Sequence, residues 1–172
     1  MEQPCHLFYS ISRPQSSWEA VGRAIGENTH IKHAHHFLYD LNRNLPVVRG
    51  FARNTLIESM AVFCEIHRNS TKNEGVFECL QSVILNNDNL RCLRWEIFGE
   101  GEFSETVWRA IESSPSLESV VIENDVMSDG VGIKSLCTNP IQALCKKSGL
   151  VHFSLVGFVL SKTPCIEKCD MQ

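Results

Sequence analysis

The sequence predicts an α/β solenoid of about five units, each an outer helix followed by one strand of a curved, parallel inner sheet. Two observations predict it. Apolar residues stand ten, seven and six places before Leu117 (Val107, Ala110, Ile111) and three and five places after it (Val120, Ile122), so helical spacing gives way to alternation. The same register recurs from Ile31 (Val21, Ala24, Ile25; Ala34, His36), Ile57 (Val47, Gly50, Phe51; Met60, Val62), Leu90 (Leu80, Val83, Ile84; Leu93, Trp95) and Leu150 (Pro140, Ala143, Leu144; Phe153, Leu155). The second observation is the period. The strand-opening residues lie 26, 33, 27 and 33 residues apart, a solenoid-like spacing whose variation falls in the loop after each strand, where added length costs little.

Taken in order, residues 1–16 form an N-terminal segment or partial repeat in which Cys5, Phe8 and Ser10 weakly imitate the strand spacing and Pro14 closes the segment. Ser16 and Ser17 are N-cap residues for a first helix over Trp18 to Ile25. Tyr39 to Pro46 reads as a polar connection, with Pro46 opening a second helix from Val47 to Arg53 and Asn54 ending it. His67 to Gly75 is the most polar run, before a third helix from Val76 to Leu85 that stops in Asn86-Asn87-Asp88-Asn89. Ser104 caps the fourth helix, Asn124 to Gly132 forms a loop, Ile133 to Cys137 forms a short element, and Pro140 begins the fifth helix. The repeat array spans 17–160, and 161–172 is expected to be a flexible tail.

Composition narrows the function classes. With 43% hydrophobic and 21% charged residues the chain has a packed, soluble composition. A net charge of −4 with scattered Lys and Arg gives no footprint for nucleic acid or an anionic membrane. The N-terminus lacks a signal-peptide pattern, the most apolar window (Leu150 to Leu160) is too short to span a bilayer, and a cytoplasmic or nuclear protein is expected. The eight cysteines fit a reduced compartment, several, such as Cys79 and Cys145, standing in helical stretches where small apolar residues are wanted.

The repeated pattern resembles the leucine-rich repeat over about residues 18 to 158, in its helix-containing, ribonuclease-inhibitor-like variety. The small residues Ala24, Gly50, Val83, Ala110 and Ala143, one place before each helix's inner anchor, are expected to bring helix and strand layers close. The family usually places Asn or Cys eight residues after the strand's first Leu, whereas Tyr39, Glu65, Phe98, Asp125 and Phe158 occupy those places, so that ladder is expected to be missing. Ala34 and His36 stand where large apolar residues belong, which makes the first unit degenerate or terminal.

The resemblance implies a protein-protein interaction module, not an enzyme, that offers the exposed strand positions to a partner: His33, His35, Phe37; Ser59, Ala61, Phe63; Cys92, Arg94, Glu96; Ser119, Val121, Glu123; and His152, Ser154, Val156. Arg94 and Glu96 form the central pair. No phosphate loop, nucleophile elbow or H-E-x-x-H motif occurs, and no cofactor is expected. The rival reading is a metal-binding protein using His30, His33 and His35, with Cys5 or His6 folded back, although zinc normally requires three or four protein ligands. Of the histidines only His36 is expected to be partly buried. Cys165 and Cys169 lack a matching second pair, and Trp18, Trp95 and Trp108 fall at packing positions. Neither end resembles a polar cap, so the sequence predicts a fragment of a longer solenoid or self-association through uncapped ends.

Overall fold

The computed structural model describes residues 5–6, 15–38, 41–65, 74–98, 105–124, 134–136, 144–156 and 158–160. Its elements are β1 (Cys5–His6), α1 (Gln15–Glu27), β2 (His33–Leu38), α2 (Leu41–Arg53), β3 (Ser59–Glu65), α3 (Glu74–Asn86), β4 (Cys92–Phe98), α4 (Glu105–Ser113), β5 (Ser119–Asn124), β6 (Lys134–Leu136), β7 (His152–Val156) and β8 (Phe158–Leu160). A helical turn at 144–146 precedes β7. None of the described helices is long and apolar enough to cross a membrane.

Alternation in the strands and helical periodicity before them produce an α/β architecture with an all-parallel main sheet in the order β1-β2-β3-β4-β5-β7. Two inner rows of side chains, Ala34-Met60-Leu93-Val120-Phe153 and His36-Val62-Trp95-Ile122-Leu155, follow the strand pairing across the five longer strands. From β2 to β5 these rows are buried in one core with Trp18, Val47, Phe51, Leu80, Ile84, Trp108 and Ile111 from the helices. The helices therefore cover one face of the sheet. The other face presents the rows between, none of whose members is buried.

At each strand start the backbone repeats one arrangement: the amides of Glu58 and Ser59 donate to the Lys32 carbonyl, those of Arg91 and Cys92 to Glu58, those of Glu118 and Ser119 to Arg91, and those of Val151 and His152 to Glu118. Three places before each strand-opening residue stands Asn28, Asn54, Asn87, Ser114 or Lys147; the side chains of Asn28 and Ser114 bond locally, to the amides of His30, Ile31 and Leu117, whereas those of Asn54, Asn87 and Lys147 reach the preceding turn. Asn54 Nδ2 donates to the carbonyls of Ile25 (2.8 Å) and Asn28 (2.9 Å), while its Oδ1 accepts from the Leu56 amide. Asn87 Nδ2 donates to the Ile57 carbonyl at 2.9 Å, and its Oδ1 accepts from the Asn89 amide. Ser116 Oγ then donates to the Asn87 carbonyl, and the buried Lys147 ammonium to that of Ser114. Burial pushes the Lys147 pKa down. An asparagine ladder thus exists, at the helix-to-strand turn, where a buried backbone carbonyl needs a donor. The places eight residues after each strand opening, Tyr39, Glu65, Phe98, Asp125 and Phe158, where the sequence predicts that the family's ladder is missing, have side chains outside the described residues.

Several expectations are corrected. The second helix starts at Leu41, so Pro46 lies inside it and Tyr39 to Pro46 is not wholly a connection. A helical segment tolerates the proline at the cost of one N–H···O bond to the preceding turn. The first helix likewise begins before Ser16 and Ser17, and the third includes Glu74, Gly75 and Asn86. β1 pairs Cys5 with Ala34, three residues away from the register that aligns Phe8 there; Phe8, Ser10 and Pro14 lie outside the described residues. Ser104, Pro140, Ala143, Cys165 and Cys169 lie outside them too.

Gly50 does bring two layers close, but they are helices: a Cβ at Gly50 would stand 2.2 Å from the Gly22 carbonyl oxygen, and one at Gly22 would stand 2.1 Å from that of Pro46. Ala24, by contrast, faces solvent, as does Cys145. β6 and β8 form a second, two-stranded parallel sheet, pairing Lys134 with Phe158 and Leu136 with Leu160, which alternation alone did not foretell. Its parallel partners are separated by more than twenty residues, and local patterning contains no signal for which distant run a short apolar segment will choose.

Candidate partner-binding face

Strand pairing fixes the open face as three rows: His33-Ser59-Cys92-Ser119-His152, His35-Ala61-Arg94-Val121-Ser154 and Phe37-Phe63-Glu96-Glu123-Val156. All fifteen positions singled out from alternation lie here. A period of two sends alternate side chains to opposite faces, so burial of one set exposes the other.

The face differs in character along its length. Over β2 and β3, Phe37 and Phe63 stack with ring centroids 4.3 Å apart, and His35 lies 4.8 Å from Phe63 and 5.3 Å from Phe37. These rings are half-buried. Over β4 and β5, Arg94 is clamped by two carboxylates: its Nε donates to Glu96 at 2.9 Å and a terminal nitrogen to Glu123 at 2.9 Å. The Glu123 hydrogen bond raises the guanidinium pKa above its ordinary value. Burial, reinforced by the negative charge of Glu123, raises that of the Glu96 carboxyl despite Arg94. Ser119, Val121 and Ser154 are half-buried, while His152 is exposed. Arg94 and Glu96, the central pair, are thus joined by Glu123 into a triad.

Between these regions is a depression of 330 Å³ whose lining includes His33, His35, Ser59, Ala61, Phe63, Arg94 and Glu96. Its cause is the short side chain of Ala61, flanked across the sheet by His35 and Arg94.

The histidine cluster is dispersed. His30 precedes β2 in a turn where its amide donates to Asn28 Oδ1 at 2.7 Å, whereas His33 and His35 share the open face. His6 lies beside His35 and Cys5 beside Ala34 in the strand pairing, their side chains being outside the description. Among the described residues no group of three His, Cys, Asp or Glu side chains is arranged to hold a metal ion. His36 is fully buried, not partly, because it points to the helix side and packs edge-on to Phe51 at 5.5 Å. Burial, with a smaller contribution from His35, pushes its pKa down to about 4.

Sequence reasoning missed the depression and the second carboxylate on Arg94. The strand-opening register held a signal for both: aligning the five units places Ala61 between His35 and Arg94, and Glu123 beside Glu96. Comparison of the sequence with protein-family models and with curated proteins finds no match to either.

Proposed function

We propose that this chain is a leucine-rich-repeat-like solenoid whose helix-free sheet face is concave and binds another protein, in the cytoplasm or nucleus, without catalysing a reaction. The observation that carries this reading is the juxtaposition, on one open face, of the Phe37–Phe63 stack and the Arg94–Glu96–Glu123 triad. Partly exposed aromatic rings beside a preorganised arginine are the side-chain types on which protein interfaces concentrate their binding energy. The shared helix-to-strand register and the ladder through Asn54, Asn87, Ser116 and Lys147 support the repeat reading.

The test is affinity capture with the whole chain, identification of a partner, and measurement of its Kd for the native protein and for an Arg94→Glu, Glu96→Arg variant. Charge reversal at the centre of the face is expected to weaken binding by about tenfold or more. Unchanged binding would remove this face from consideration.

A second reading, self-association, is favoured by β7. Val151, the residue before β7, is 84% exposed, and Phe153 and Val156 are each 49% exposed along the strand itself, which the described residues pair on one side only, with β5. An open parallel edge with apolar side chains is a pairing template. Light scattering over a concentration series should show a rise in mean mass that Phe153→Lys abolishes; a mass independent of concentration would refute it.

A further inference from the structure

We propose that the depression over Ala61 is a slot for one aromatic side chain with a polar edge, tyrosine or tryptophan, supplied by the protein partner. The inference rests on the interface reading above and specifies what that interface recognises.

The width of the slot follows from the sheet. His35, Ala61 and Arg94 are partners in one row across β2, β3 and β4. Adjacent strands lie about 4.8 Å apart, so the flanking backbones are about 10 Å apart with a methyl group between them. A planar ring seated over that methyl stands about 5 Å from each flank. That spacing suits a stacked aromatic neighbour on one side and a guanidinium above the ring face on the other. The flanks supply those groups: an imidazole held against Phe63 at 4.8 Å, and a guanidinium fixed by two carboxylates at 2.9 Å each. A fixed guanidinium loses little freedom on stacking, which favours it over a mobile lysine.

Charge selects against the alternatives. Arg94 offers its cationic face to the negative face of a π system. Its hydrogen bonds, however, go to Glu96 and Glu123, and two carboxylates to one guanidinium leave the triad net negative, which disfavours a carboxylate ligand. The ends of the slot differ as well. Phe63, two residues beyond Ala61 on the same strand, lines one side, and the hydroxyl-bearing Ser59, two residues before Ala61, lies at the other. A ring with an apolar body and one O–H or N–H at its edge matches both ends, whereas an aliphatic side chain leaves the serine and the guanidinium face unused.

The experiment titrates the isotope-labelled full chain with N-acetyl-tryptophanamide and N-acetyl-tyrosinamide, with N-acetyl-leucinamide as control, and follows side-chain resonances by NMR. A seated ring, its faces turned to His35 and Arg94, stands edge-on above the Ala61 methyl, so a saturable downfield ring-current shift of that methyl and perturbation of the Arg94 Nε–H signal are expected. The leucine probe should bind at least about tenfold more weakly. Ala61→Leu fills the slot from the solvent side, and with core methyl signals unchanged it should abolish the effect. No saturable shift at Ala61, equal affinity for the leucine probe, or full binding by Ala61→Leu would each overturn the slot. Failure of the slot with partner binding still sensitive to the Arg94→Glu, Glu96→Arg variant would leave the interface reading standing. A saturable shift with partner binding indifferent to that variant would overturn the interface while leaving the pocket.

Discussion

His36 is a titratable group in a position that the other units fill with Val62, Trp95, Ile122 and Leu155, and that substitution makes the fold acid-sensitive. Its imidazole is fully buried against Phe51, and burial pushes its pKa from 6.5 down to about 4. Above pH 6.5 the ring is neutral in both folded and unfolded chains and costs nothing. As pH falls from 6.5 towards 4 the unfolded chain takes up a proton that the folded chain refuses, so stability falls with pH; below about 4 both are protonated and the loss levels off. At about 1.4 kcal/mol per pH unit the whole interval is worth about 3 kcal/mol, of which about 2 kcal/mol is lost by pH 5. That is a large part of the 5 to 15 kcal/mol typical of a folded domain. The assay is urea unfolding at pH 7.5 and pH 5 for the native protein and for His36→Leu, which keeps an apolar side chain in the row. Other titrating groups remain in both proteins, so the difference between their pH dependences isolates His36. The variant is expected to lose about 2 kcal/mol less than the native protein between the two pH values; an equal loss would refute the reasoning.

Two further outcomes follow from the packing. Asn54→Ala leaves the carbonyls of Ile25 and Asn28 and the Leu56 amide without their side-chain partner, and should destabilise by about 2 to 4 kcal/mol in urea unfolding, with Asn87→Ala showing a similar loss. Gly50→Ala places a methyl 2.2 Å from the Gly22 carbonyl oxygen, which backbone must move to accommodate; a loss of about 1 to 3 kcal/mol is expected, read as a lower thermal midpoint. Ala24→Ser, on the exposed side of α1, the helix that carries Gly22, is the neutral control, and an equal drop there would undercut the argument from close approach.

Strand register was legible because one period governs it. Once Ile57, Leu90 and Leu117 are aligned, alternation dictates that Met60, Leu93 and Val120 point inward together and that Ala61, Arg94 and Val121 point outward together. Helix boundaries were less legible. Pro46 carries a strong start signal, yet the helix opens at Leu41, because a proline six residues in removes one bond while the remaining turns still bury Val47, Val48 and Phe51. The two asparagine rungs, Asn54 and Asn87, stand in equal register with Asn28, but each also makes sense as a local helix stop, and Asn28, which accepts from the amides of His30 and Ile31, has that local role. Only the donors to Ile25, Asn28 and Ile57, roughly thirty residues away in sequence, distinguish a cross-link between units from a cap.

The fold separates what holds the units together from what they present. Inter-unit adhesion is concentrated in the inner rows and in the donors at the helix-to-strand turn, on the side of the sheet where Trp95, Ile111 and Ile122 are buried. The outward rows supply backbone pairing but no side chains to that core, so their composition is constrained by water and by whatever touches the face, not by the helices. Yet beside the small polar residues that solvent alone would favour, Ser59, Ser119 and Ser154, stand groups that it would not gather. Three rings are gathered within 5.3 Å of one another over β2 and β3, and one arginine over β4 is bound by carboxylates from two strands. Ordering long side chains in this way opposes their rotamer entropy, and exposed ion pairs repay little of it in water. Such preorganisation yields more when a partner desolvates the triad and covers the rings, which strengthens the Coulombic attraction and buries apolar area in one event. The same ordering that adds little to the free protein would thus lower the entropic cost of the docking proposed at the Ala61 depression.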